Sequence, residues 1–139
     1  MKKLLLLSFI IFSISSAFAQ VTPIVTAKMT NATVAAAVIT LGTGVGGKAA
    51  FTISVDKVSG TVGGGVAFQS SNDGIKWINM VYTGIAATDT LALTNVAYQS
   101  RDYLIDIPPT KFIRARGTGT GTMVATLKLI PNYRYNSKP

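Results

Sequence analysis

Between residues 33 and 130, apolar side chains recur at every second position in short segments, and glycine- or proline-rich stretches separate these segments. Residues 48–58 (KAAFTISVDKV) alternate well, and the members on one side are apolar: Ala49, Phe51, Ile53 and Val55. Alternation with a period of two is typical of a strand that buries one face. The sequence therefore predicts an all-β fold. We expect an antiparallel β-sandwich of about seven or eight strands with jelly-roll or immunoglobulin-like character.

Turn residues divide this region into individual strands. The predicted strands are 33–41, 48–58, 66–71, 75–82, 89–94, 98 or 103 to 107, 111–117 and 122–130. A flexible loop is expected at 42–47 (GTGVGG), and Pro108-Pro109 is expected to separate two strands. Asp73-Gly74 favours a tight hairpin, because this pair supplies the positive φ angles of a primed turn. Helix is expected to be nearly absent after the leader.

The first nineteen residues have the pattern of a secretory signal peptide. Lys2 and Lys3 precede an apolar run at 4–14, and Ala17-Phe18-Ala19 offers small residues to a signal peptidase. We predict cleavage near Ala19-Gln20 and an extracytoplasmic product in the periplasm, at the cell surface or on a virion, with no membrane span after cleavage. The predicted divisions are a signal peptide (1–19), an extended arm or edge strand (20–32), the sandwich (33–130) and a polar tail (131–139).

Residue types that are missing restrict the chemistry. The chain has no histidine and no cysteine, and its five acidic residues are all aspartates. Asp102 and Asp106 lie four positions apart, which on a strand corresponds to roughly 13 Å. That separation is too large for the paired carboxylates of a glycosidase. We therefore expect a protein that is not an enzyme, with no catalytic residues, no metal and no cofactor.

The charge balance favours an acidic partner. Without Lys2 and Lys3 the chain has eleven cations and five anions, a net charge of +6. The cations are scattered, so an anionic polysaccharide fits better than nucleic acid. Arg114 and Arg116 share one side of a predicted strand with Phe112. They are expected to form a solvated face or to pair with Asp102 or Asp106, and a stripe that binds polyanions is the alternative.

Aromatic residues add candidates for surface or glycan contact. These candidates are Trp77, Tyr82 and Tyr103, alongside Arg114 and Arg116. Trp77 follows the predicted hairpin, where a single tryptophan either fills the core of a sandwich or lies exposed as a platform for a sugar ring. Both alternatives stay open from the sequence.

A longer pattern resembles a known group of domains. It consists of GVAFQSSNDGIKW at 65–77, Thr88-Asp89-Thr90, KFIRAR at 111–116 and the Gly-Thr run that follows. Over about residues 48–130 this is similar to small β-sandwich domains of bacteriophage virion proteins, chiefly tail, head-decoration and adhesion modules. The resemblance implies a structural or attachment module that acts through surface contacts and self-assembly, and it implies no catalytic residues. The alternative is a secreted carbohydrate-binding module or a bacterial cell-surface adhesin.

Overall fold

The computed structural model describes residues 24–80 and 90–135. These residues form seven strands and contain no helix. The strands are β1 (Val25–Thr30), β2 (Ala35–Ser59), β3 (Gly64–Ser71), β4 (Ile78–Asn79), β5 (Leu91–Leu93), β6 (Tyr98–Gly119) and β7 (Val124–Tyr135). All strand pairs are antiparallel. The predicted all-β class is confirmed. The predicted signal peptide lies outside the described residues.

The strands form one curled sheet in the order β1-β7-β2-β6-β3-β4, and β5 also pairs with β3. The two longest strands, β2 and β6, pair with each other along two stretches, and we call these the two halves of the sheet. Residues 35–40 of β2 pair with 112–117 of β6, and residues 47–56 pair with 98–107. Between these stretches the register shifts twice, at Thr40/Val45 and at Val45/Gly47. Such irregularities bend a strand and increase its twist.

Two predicted breaks are wrong. Residues 42–47 were expected to form a loop, but β2 continues through them. Pro108-Pro109 was expected to separate two strands, but both prolines lie inside β6. The reason is their position: they fall between the Gly47–Ile107 and Val45–Thr110 pairs, where the ladder is already irregular. Proline lacks an N–H donor and is tolerated in a strand at such a site.

The core lies on one face of the sheet, and the predicted alternation gives that face correctly. Its buried members include Ala49, Phe51, Ile53, Val55, Val66, Phe68, Ile113, Ala115, Met123, Ala125, Leu127 and Leu129. The ring of Phe68 in β3 lies 5.8 Å from that of Phe51 and 5.1 Å from that of Tyr103. Phe51 and Tyr103 pair with each other in the other half of the sheet. The curl therefore brings the two halves together around shared aromatic side chains.

The sheet extends beyond both expected ends of the domain. Residues 25–30, within the expected arm, pair with β7 as an edge strand of the sheet. At the other end β7 continues to Tyr135 and pairs with β2 there, so the polar tail predicted from residue 131 begins inside a strand. No helix in the described residues is long and apolar enough to cross a membrane.

Candidate functional site

The loop between β3 and β4 brings together several residues with binding chemistry. The pairing between β3 and β4 ends at Ser70, which lies opposite Ile78. The loop that connects these two strands is therefore longer than a two-residue turn. Gly74 has a positive φ of 74°, whereas no non-glycine residue in the described chain has one. The predicted primed turn at Asp73-Gly74 is therefore wrong, because a type I′ turn needs positive φ at both central residues.

Asp73 shapes this loop through one carboxylate oxygen. Its Oδ1 accepts hydrogen bonds from the backbone N–H groups of Ile75 and Lys76, both at 2.8 Å, and from the Ser71 hydroxyl at 3.0 Å. The Ile75 N–H, the Lys76 N–H and the Ser71 hydroxyl, in that order, hold the pKa of Asp73 below its ordinary value. The ionised side chain thus fixes the loop that leads to Trp77.

Trp77 lies half-buried at the end of this loop, against a cation. Its indole Nε1 donates a hydrogen bond of 3.0 Å to the Gly74 carbonyl. The guanidinium carbon of Arg114 lies 4.0 Å from the centroid of its ring, within the range of a cation–π contact. Trp77 is therefore neither a core residue nor a bare platform, since one part of its ring system is covered by Arg114.

A row of side chains across four strands supports Arg114. By register, Val38 in β2, Arg114 in β6, Gln69 in β3 and Asn79 in β4 lie side by side. Arg114 Nε donates to Gln69 Oε1 at 2.8 Å, and Gln69 Nε2 donates to Asn79 Oδ1 at 2.7 Å. This row faces away from the core, and we call the surface around it the outer face. The hydrogen bonds orient the guanidinium.

Arg116 lies next to this row on the same face. It is half-buried, and its direct cross-strand neighbours are Ala36 and Ala67. Burial, and secondarily the charge of Arg116, lower the pKa of Arg114. No carboxylate of the described residues forms an ion pair with either arginine. The expected pairing with Asp102 or Asp106 is therefore not formed, because both aspartates lie in the part of β6 that pairs with residues 47–56.

The remaining predicted contact residues are not part of this site. Tyr103 is only 5% exposed and packs edge-on against Phe68, so its predicted place on the surface is wrong. Its position is explained by the alternation of β6, which turns Tyr103, Ile105 and Ile107 to the core. Tyr82 lies outside the described residues. Gln69 and Asn79 were not among the residues predicted for contact, although Gln69 alternates with the core residue Phe68 and so faces the side opposite to it.

No protein-family model matches the chain, and no curated protein matches it.

Proposed function

We propose that this protein is a non-enzymatic attachment module, associated with a virion, that works through surface contacts and self-assembly. In this proposal residues 1–19 are removed on export, and the curled sheet closes as a two-layer β-sandwich. Packing of Phe68 against Phe51 and Tyr103 supports the two-layer arrangement, because these residues come from different halves of the sheet.

The proposal rests on one observation: Trp77 and Arg114 are held against each other on the outer face. Aromatic residues and arginine are the types most enriched at binding hot spots. Here the Gly74 carbonyl fixes the indole, and Gln69 fixes the guanidinium. A contact surface that is ordered in advance loses little side-chain entropy when a partner binds.

A sheet edge supports the self-assembly part of the proposal. Among the described residues, the edge strand β1 pairs only with β7. Unpaired strand edges are templates for strand addition by another chain. Two apolar side chains of β6 are also exposed, Tyr98 at 57% and Leu104 at 63%. Burying these two side chains between copies would favour association.

The experiment follows the product of the full-length gene. We expect it in an extracytoplasmic fraction with Gln20 as its first residue. Light scattering and electron microscopy should show regular oligomers. A density gradient should place the protein in the fractions that contain virion particles. Thr26→Lys should shift it toward monomer, because Thr26 is exposed on the edge strand β1 and a lysine on an edge strand opposes pairing. Val58→Lys is the matched control, since Val58 is 65% exposed but lies in β2, an internal strand. A wild-type product that is monomeric and absent from particles would contradict the proposal.

A secreted carbohydrate-binding module or cell-surface adhesin is the second candidate. The partly exposed ring of Trp77 favours it, because aromatic rings stack on the apolar faces of sugars. This candidate gains if the protein is a monomer that binds glycans, and if Trp77→Ala abolishes binding while the circular dichroism spectrum remains that of the folded protein.

A further inference from the structure

We propose that Arg114, Arg116 and Trp77 form a binding site for a carboxylate-bearing sugar of an acidic polysaccharide. This inference rests on the proposed function, because it takes the outer face as the contact surface. It goes further by naming the chemical group that the face recognises.

Two guanidinium groups on one face provide positive charge and hydrogen-bond donors for a carboxylate. Arg114 and Arg116 are alternate residues of β6, so their Cα atoms are about 7 Å apart. Guanidinium groups bind carboxylates through paired, charge-assisted hydrogen bonds. Arg114 uses its Nε to reach Gln69, which leaves the donors on its two terminal amino groups for a ligand. A carboxylate placed between the two arginines would supply the counter-charge that no described residue provides.

Trp77 distinguishes a sugar from a simple anion. The Arg114 guanidinium lies over the indole ring, which is only half-buried, so the anion site has an apolar aromatic border. A small inorganic anion has no surface to pack there, whereas a sugar ring has C–H groups that pack on an aromatic ring. The side chains opposite Arg116 are the alanines Ala36 and Ala67, which leave room beside the guanidinium for the ring.

The electrostatics of the pair agree with this geometry. Burial and the neighbouring Arg116 lower the pKa of Arg114, which means that its charge is held at some cost. An anion bound beside both groups would offset that cost, and binding should weaken as salt screens the charges.

The chain contains a single tryptophan, so its fluorescence reports directly on this site. The test titrates the exported protein with polygalacturonate, with neutral dextran and with dextran sulfate. We expect a saturable change in Trp77 emission with polygalacturonate, none with dextran, and a weaker response to dextran sulfate. Arg114→Ala and Arg116→Ala should each weaken polygalacturonate binding by about tenfold or more, the effect of losing a charged hydrogen bond.

Two further variants separate recognition from charge and from folding. Arg114→Lys keeps the charge but loses the planar fork, so it should also bind about tenfold more weakly while melting near the wild-type temperature. Lys111→Ala is the matched control, because Lys111 is exposed on the same strand but lies at an odd-numbered position, outside the alternation that Arg114 and Arg116 share. It should bind within about twofold of wild type. An equal loss in Lys111→Ala and Arg114→Ala, or equal binding of both polyanions, would overturn the proposed site.

Attachment to particles or cells separates this inference from the function on which it rests. If wild type attaches and Arg114→Ala attaches equally well, the assignment of the ligand is overturned and the attachment function stands. If wild type does not attach at all, the proposed function fails, whichever polysaccharide it binds in solution. Attachment that polygalacturonate blocks in wild type, and that Arg114→Ala lacks, supports both.

Discussion

Asp73 is the residue on which the shape of the β3–β4 loop most depends. Three donors, two from the backbone and one from Ser71, converge on its Oδ1. Each of these hydrogen bonds favours the ionised form, which is why the pKa of Asp73 lies below the ordinary aspartate value of about 3.9. The loop is therefore ordered by a charge on one exposed side chain.

This arrangement predicts how stability responds to acid. Because the pKa of Asp73 is lower in the folded state than in the unfolded state, its contribution is complete at neutral pH. That contribution declines as the pH falls below about 4 and through the lower folded-state pKa. The melting temperature of wild type should therefore fall over this range more steeply than that of Asp73→Asn, which cannot titrate. Melting curves followed by circular dichroism from pH 7 to pH 2 measure the difference, and parallel curves would contradict the assignment.

The environment of Trp77 could not be predicted from the sequence. The sequence left two alternatives for this residue, core or exposed platform, and the structure adopts an intermediate position. The deciding contact comes from Arg114, on a strand far along the chain. Gln69 shows the same limitation, since its role depends on hydrogen bonds to Arg114 and Asn79 on two different strands. Alternation gives the face on which a side chain lies, but long-range register decides what it contacts there.

At the scale of the strands, alternation predicted the buried face well and the strand ends poorly. Phe51, Phe68 and Leu127 are buried as their periodicity requires. By contrast, β2 and β6 each combine two segments that glycine or proline was expected to separate. Local turn chemistry cannot distinguish a loop from a bend inside a paired strand. That outcome depends on whether the neighbouring strand bends at the same place, as it does where residues 40–47 of β2 face residues 107–112 of β6.

Two phenylalanines on opposite faces of the sheet test this assignment. Phe68 is 1% exposed and contacts Phe51 and Tyr103, so Phe68→Ala should lower the free energy of unfolding by about 3–5 kcal/mol. Phe112 is half-buried on the outer face near Gly74, and Phe112→Ala should cost about 1–2 kcal/mol. Urea denaturation of both variants at one protein concentration gives the comparison. Equal losses would show that the two faces are not distinguished as described.

At the scale of the molecule, the curl is closed by contacts between strands that are not neighbours in the sheet. β7 and β2 separate β1 from β6 in the strand order. Nevertheless Met29 of β1, with no exposed surface, lies directly over Gly117 of β6. A Cβ atom at position 117 would lie 2.8 Å from the Met29 sulfur and 3.4 Å from a methyl carbon of Leu127. The absence of a side chain at Gly117 therefore allows the edge strand to approach β6.

This closure predicts an energetic coupling between residues 29 and 117. Gly117→Val should lower the free energy of unfolding by about 1–3 kcal/mol through overpacking. Met29→Ala should lower it by about 2–5 kcal/mol by leaving a cavity. In the double variant the new valine occupies part of that cavity, so the combined loss should be smaller than the sum by about 1 kcal/mol or more. Gly65→Val is the matched control, because a Cβ atom there meets its nearest neighbour at an ordinary 3.5 Å. Urea denaturation of the four proteins of the cycle measures the coupling, and losses that add within about 0.3 kcal/mol would show that β1 does not close the sheet against β6.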